Sequence, residues 1–465
     1  MNRQKELAFN TAILTIGKIC TQLTSFLLLP VYTGLLLPEE YGIVDLFNTF
    51  VILLVPLFSC QFENGLFRFL VDCRGQKEKQ TELFSTVLTS NLVQILCYLL
   101  IYAVFQRFIQ SEFKIFLAIE VCIGILLNSF LQYSRGIGHN ITYAAASFLT
   151  ASGTVVFNVI FIAFLKLGAV GLFMASVLAK AITLVFLGFS EGIFRCYDPR
   201  KWNRDTFRAL AGYSFPLIPN QLSWWVIEMS DRTIITYVLG VAANGIYSIA
   251  TKFSSIFITF YNIFNTAWTE SAALHLKDED GGLFIRETIN TMFRLFSAVC
   301  IGMIACMPFV FPWLINEQYG QAYDQIPILM LAVLFQVVIG LYGVIYVALK
   351  KTREIARTSF WAAIINLAAN GLMIRFIGLY AGSVSTLLAF ASMAVYRYFH
   401  VRKYVDAGLD QRILLLTLLA AGTTVGTYYL HSTALSILNL LFILVYSIAI
   451  NREFLTSILK SIAKR

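Results

Sequence analysis

The chain has 465 residues, of which 58% are hydrophobic and only 13% charged, and its mean hydropathy is +0.73. A soluble domain carries about 25% charged residues, so the composition excludes a soluble enzyme and points to a protein lying almost wholly in a membrane. The net charge of +9 would suit nucleic acid, but its distribution along the chain gives it another origin.

A transmembrane helix needs roughly 20 mostly apolar residues. In chain order the sequence predicts fourteen: 9–29, 42–61, 84–105, 113–131, 143–165, 169–190, 209–229, 245–268, 288–311, 326–349, 358–377, 379–399, 412–430 and 434–450. Helices are expected because a helix satisfies its own backbone in lipid. The stretches are too long and continuous for the alternating strands of a barrel. The first carries Lys18 and Gln22 and lacks a small-residue cleavage site, so it does not read as a removable signal peptide. With the N-terminus placed inside, 26 of the 35 Lys and Arg fall in inner segments, five in outer ones and four in or at the edge of spans. That asymmetry follows the positive-inside rule. It predicts cytoplasmic termini and leaves no charge that requires nucleic acid. The eight cysteines form no zinc-spaced cluster and read as small buried hydrophobes. No metal or other cofactor is expected.

The sequence repeats weakly. "YGIVDLFNTF" (41–50) matches "NGIYSIATKF" (244–253) at an offset of 203, and "SFLTASGTVVFN" (147–158) matches "SFWAAIINLAAN" (359–370) at 212. "LGAVGLFMASVLA" (167–179) matches "IGLYAGSVSTLLA" (377–389) at 210. Six spans separate the copies, an even number, so both copies cross the membrane in the same sense. The expectation is an all-α membrane protein with parallel repeats, as in some secondary transporters. It divides into an N-terminal lobe (1–205), a C-terminal lobe (206–405) and a final helix pair with a cytoplasmic tail (406–465).

Two spans are polar along one face. In the eighth, Ser248, Lys252, Ser255, Thr259, Asn262 and Thr266 recur at helical spacing; in the first, Thr11, Thr15, Lys18, Gln22 and Ser25 do the same. Lipid does not tolerate such faces, so each is expected to meet protein or water. The seventh span adds Ser214, Gln221, Trp224 and Glu228, and the second adds Asp45 and Asn48. The simplest assembly places these four spans around one water-filled cavity made cationic by Lys18 and Lys252. The candidate substrate residues are Lys18, Gln22, Gln221, Lys252, Ser255, Asn262 and, flanked by Ser176 and Thr183, Lys180. Candidate coupling or gating residues are Asp45, Glu228 and Asp231. Plainer readings stand beside these. Hydroxyls and amides also glue helices together, Lys252 can form a buried ion pair with Asp45, and Asp231-Arg232 can be an exposed salt bridge just outside the seventh span.

"LLLPEEYGIVDLF" (35–47), "LFRFLVD" (66–72) and "YSFPLIPNQLSWWVIEMSDRTIITYVLGVAANGIYSIATKF" (213–253) occur in an order that resembles the Wzx-type oligosaccharide flippases. Those belong to the superfamily that also holds the MATE drug antiporters and the lipid II flippases. The resemblance implies fourteen helices in two lobes, alternating access, and a bacterial cell membrane. It also implies a substrate of sugar repeat units on undecaprenyl pyrophosphate, with Lys18 and Lys252 receiving the headgroup. A polysaccharide polymerase and other assembly proteins are its candidate partners, and a proton or sodium its candidate coupling ion. Two alternatives stay open. A MATE-like antiporter favours acidic cavity residues, and a membrane glycan polymerase needs a substantial extramembrane region, whereas the longest loops here have roughly twenty residues.

Overall fold

The computed structural model describes residues 26, 28–276, 278–349, 351–452 and 456. All regular structure among them is helical. The chain packs as two units, Met1–Trp225 and Val226–Arg465. The lobe boundary expected at 205/206 thus precedes the packing division, which falls inside a helix.

The first unit contains α1 (Leu29–Leu35), α2 (Pro38–Phe58), α3 (Phe62–Asp72), α4 (Lys77–Phe105), α5 (Lys114–Ile137), α6 (Asn140–Asn158), α7 (Gly168–Ser190), α8 (Ile193–Cys196) and α9 (Arg204–Ser214). Helix α2 starts as its sequence dictates. Pro38 stands at its first position, where a missing N–H costs nothing, and Glu40 Oε2 accepts the Leu37 backbone N–H at 3.0 Å. The second span does not run on through Gln61. Cys60 and Gln61 take left-handed backbone conformations (φ 52° and 59°), and the chain turns into α3. Phe62, Leu66 and Leu70 of α3 then pack with Phe84 and Val87 of α4 and Phe130 of α5 in one buried core.

Helix α10 (Ile218–Leu239) crosses the division, and the second unit continues with α11 (Val241–His275), α12 (Gly281–Leu314), α13 (Ala322–Ala348), α14 (Thr352–Ile377), α15 (Tyr380–Val401), α16 (Gln411–Tyr429) and α17 (Thr433–Ile450). Helix α13 is the most apolar and most buried of the candidate spans, and it packs between α11 and α15. Its Gly340 permits this approach. A Cβ there would lie 2.1 Å from the Tyr261 hydroxyl of α11, so close helix contact depends on the missing side chain. Helices α16 and α17 pack on α12 through Ile301, Ala305, Ala420 and Ile443.

Thirteen of the fourteen expected spans coincide with described helices, and the first lies almost wholly outside the described residues. Nine of the described helices are long and apolar enough to cross a membrane by themselves. Helices α10, α11, α15 and α16 fall outside that set. The protein is a multi-pass membrane protein.

Candidate functional site

The sharpest polar constellation lies inside the second unit, around Asp231. Helix α10 runs to Leu239, so Asp231 is not at a helix exit. It is 2% exposed, which corrects the reading of it as part of an exposed salt bridge. Four helices supply its surroundings. Asn370 Nδ2 of α14 donates to Oδ1 at 2.7 Å, and Ser385 Oγ of α15 lies 3.5 Å from the same oxygen. Thr386 Oγ1 of α15 donates to Oδ2 at 2.6 Å, joined at 3.3 Å by the Tyr247 hydroxyl of α11. A second layer holds the donors. Asn366 Nδ2 donates to Thr386 Oγ1 at 3.3 Å, and Ser230 Oγ donates to Asn366 Oδ1 at 3.2 Å.

All of these donors are neutral. A carboxylate taken out of water is costly to bury, and neutral hydrogen bonds offset only part of that cost. Beside it, Asn370 Oδ1 is buried and has no hydrogen-bond partner among the described residues. The cluster therefore offers acceptor oxygens, one of them unused, around one negative charge. That donor set fits a proton or a small hard cation, which prefers oxygen ligands. Among the described residues no group of three His, Cys, Asp or Glu stands ready for a transition metal.

The other candidates are distributed as follows. Lys18 and Gln22 lie outside the described residues, and the Glu228 side chain is outside those described. Gln221 stands on α10, half-buried. Along α11 the polar stripe grades outward. Ser248 is buried, Lys252, Ser255 and Thr259 are half-buried, and Asn262 and Thr266 are exposed. Two of its hydroxyls donate to their own helix, Ser255 Oγ to the Thr251 carbonyl at 2.8 Å and Thr259 Oγ1 to that of Ser255 at 2.7 Å, and each oxygen can still accept. Ser248 Oγ is buried with no hydrogen-bond partner among the described residues. Asp45 on α2 is 8% exposed. Lys180 on α7 is joined by Glu120 of α5 in a salt bridge within the first unit, with side-chain exposures of 22% and 3%. The sequence reading placed Lys180 among the substrate residues and missed Glu120. The available signal was a lone acid in the middle of the fourth span, which needs a cationic partner.

Solved structures share this arrangement of long apolar helices. The chain is similar to an inward-facing multidrug resistance MATE family transporter of the MOP superfamily, with TM-score 0.69, 14% identity, and coverage of 84% of this chain and 98% of that one. It is similar to the lipid II flippase MurJ in an inward closed conformation, with TM-score 0.70, 14% identity and coverage of 96% and 100%. A MOP superfamily transporter from Pyrococcus furiosus aligns at TM-score 0.56 and 15% identity over 86% and 96%. No curated protein matches. The profile of the family described as Polysaccharide biosynthesis protein matches residues 7–269, more than half of the chain, and the protein belongs to that family.

Proposed function

We propose that the protein is a flippase that moves oligosaccharide repeat units on undecaprenyl pyrophosphate from the inner to the outer leaflet of a bacterial cell membrane. The observation that carries this reading is the family match over residues 7–269 in a chain with a transporter fold. Both termini are cytoplasmic in this reading. The headgroup enters a cationic cavity while the prenyl tail stays in lipid. Lys18 and Lys252 offset the cost of taking a dianionic pyrophosphate through a region of low dielectric, where each contact at 4 Å is worth about 4 kcal/mol at an effective dielectric of 20. Gln22, Gln221, Ser255 and Asn262 hydrogen-bond the headgroup and sugars. Asp231 binds the co-transported ion, a proton or sodium, and the occupancy of that site biases the lobes between inward and outward states. The protein then hands the repeat unit to a polymerase. No bond is made or broken in the flip.

Deletion of the gene should leave lipid-linked repeat units on the inner leaflet and stop surface polysaccharide. Intact polysaccharide with new sensitivity to cationic drugs would support the antiporter instead. Among complementing variants, Lys252→Arg should retain partial transport, Lys252→Met should cripple it at normal membrane abundance, and Lys252→Glu should be worse. Rescue of Lys252→Met by Asp45→Asn would mean that Lys252 serves an ion pair and no substrate.

A further inference from the structure

A separate cavity of about 270 Å³ lies in the second unit between the first turns of α14 and the last turns of α15. Arg357, Thr358, Trp361, Ala362 and Ile365 line it from α14, and Ser392, Met393 and Tyr396 from α15. It opens to the surface: Trp361 is 56% exposed, Tyr396 40%, and Arg357 is exposed.

The hydrogen-bonding state of its wall selects the ligand. Thr358 Oγ1 is committed, accepting from buried Arg397 at 2.8 and 3.1 Å while donating to a backbone carbonyl at 2.9 Å. Ser392 Oγ donates to the Ala389 carbonyl at 2.8 Å. What remains is the Arg357 guanidinium, the Trp361 indole N–H and the Tyr396 hydroxyl, none with a hydrogen-bond or ion-pair partner among the described residues. The first two groups only donate and the third donates readily. A ligand that satisfies all three must be rich in acceptors and is favoured if anionic.

The neighbouring charges agree. Arg397 is 3% exposed, and its guanidinium is held by Thr358 and by the Ile339 carbonyl at 3.0 Å, with no carboxylate partner among the described residues. Lys351 and Arg402, at the same end of the lobe, lie over the rings of Tyr404 and Tyr398. Positive charge is therefore in excess there, and Arg357 is the cation that reaches the cavity. Glu354, one turn earlier, does not line it. The cavity is also graded along the helix axis. Arg357 is exposed, and Ala362 and Ile365 lie about 8 to 12 Å further along α14. A guanidinium at one end, two further donors and apolar side chains along the same helix match a lipid with a phosphate headgroup.

We propose that the cavity between α14 and α15 binds the phosphodiester headgroup of an anionic glycerophospholipid, held by Arg357, Trp361 and Tyr396. Basic pockets between transmembrane helices are suited to such headgroups. The test is lipid retention by the purified full-length protein, measured by native mass spectrometry with phosphatidylglycerol or phosphatidylcholine added to the micelle. The wild type should keep one phosphatidylglycerol on the order of fivefold better than phosphatidylcholine, the preference that one basic contact supplies. Arg357→Gln should lose that preference, and Arg357→Lys should keep most of it. Arg353→Gln, which removes an exposed charge outside the cavity, should leave it unchanged. Filling the cavity with Ser392→Phe should abolish retention with every charge in place. Equal retention of both lipids by the wild type would overturn the proposal, as would an equal loss in Arg353→Gln, which would mark general surface attraction. Displacement of the lipid by millimolar inorganic phosphate, with equal thermal stabilisation by phosphate alone, would assign the site to a free anion and overturn the lipid reading.

Discussion

At the scale of single residues, two buried carboxylates are handled in opposite ways. Glu120 is neutralised by a lysine within its lobe, whereas Asp231 has only neutral donors among the described residues. Removing one partner of a buried pair strands the other. Lys180→Met should therefore destabilise the solubilised protein by about 3 kcal/mol, the low end for such pairs, because Lys180 is 22% exposed. The double variant with Glu120→Gln should recover most of the loss; both are read from the thermal midpoint and the membrane abundance. If Lys180 contacts substrate instead, the double variant will be abundant and inactive. Asp231→Asn should behave differently. It removes an unneutralised charge and keeps a side chain of the same shape, so stability should hold or rise. Transport should fall at least tenfold, as measured by surface polysaccharide per unit of membrane protein. Normal transport in Asp231→Asn would remove the site from the coupling mechanism.

At the scale of helices, packing in the second unit turns on α13. Tyr261 is 2% exposed and has little room to retreat from Gly340. Its hydroxyl donates to Asn265 Oδ1 at 3.0 Å, a bond that a displaced ring would lose. Gly340→Ala should thus cost about 1 to 3 kcal/mol, the range for overpacking a tight core, and Tyr261→Phe in the same chain should return part of it; denaturation midpoints in detergent measure both. Helix existence was legible from hydropathy, since thirteen expected spans are helices in the structure. The partners of polar residues were not legible. Periodicity gives the face of one helix, and it says nothing about which helix meets that face. Thus Lys180 could be singled out without Glu120. Asp231 was read as exposed because the seventh span was ended at 229, while α10 continues to Leu239. Arg232 was placed outside the span with it. Its Nη2 reaches Thr251 Oγ1 at 3.1 Å, a tertiary contact that no local pattern contains.

At the scale of the whole molecule, the topology awaits measurement. The basic segments near residues 75, 200, 280 and 352 are expected in the cytoplasm. In a background lacking the eight native cysteines, an impermeant maleimide should label cysteines placed near 38 and 318 from outside and spare those near 75 and 200. Labelling at 200 in intact cells would reverse the orientation. Six-span repetition was read from three weak matches, and the packing division at 225/226 is an observation separate from it.

The uneven apolarity of the helices bears on how the protein is made. Three of the helices that hold the Asp231 cluster (α10, α11 and α15) are not apolar enough to qualify as spans alone. An aspartate at the centre of a helix costs about 2.5 to 3.5 kcal/mol to insert. Asp231 leaves the ribosome 139 residues before Asn370 and 155 before Thr386. At 5 to 20 residues per second the carboxylate waits about 8 to 31 s for Thr386, the last of its donors. During that interval α10 has no finished lobe to enter. It must be sheltered at the insertion machinery beside earlier helices, or stay partly in water. The same buried carboxyl therefore makes the integration of α10 depend on helices synthesised after it.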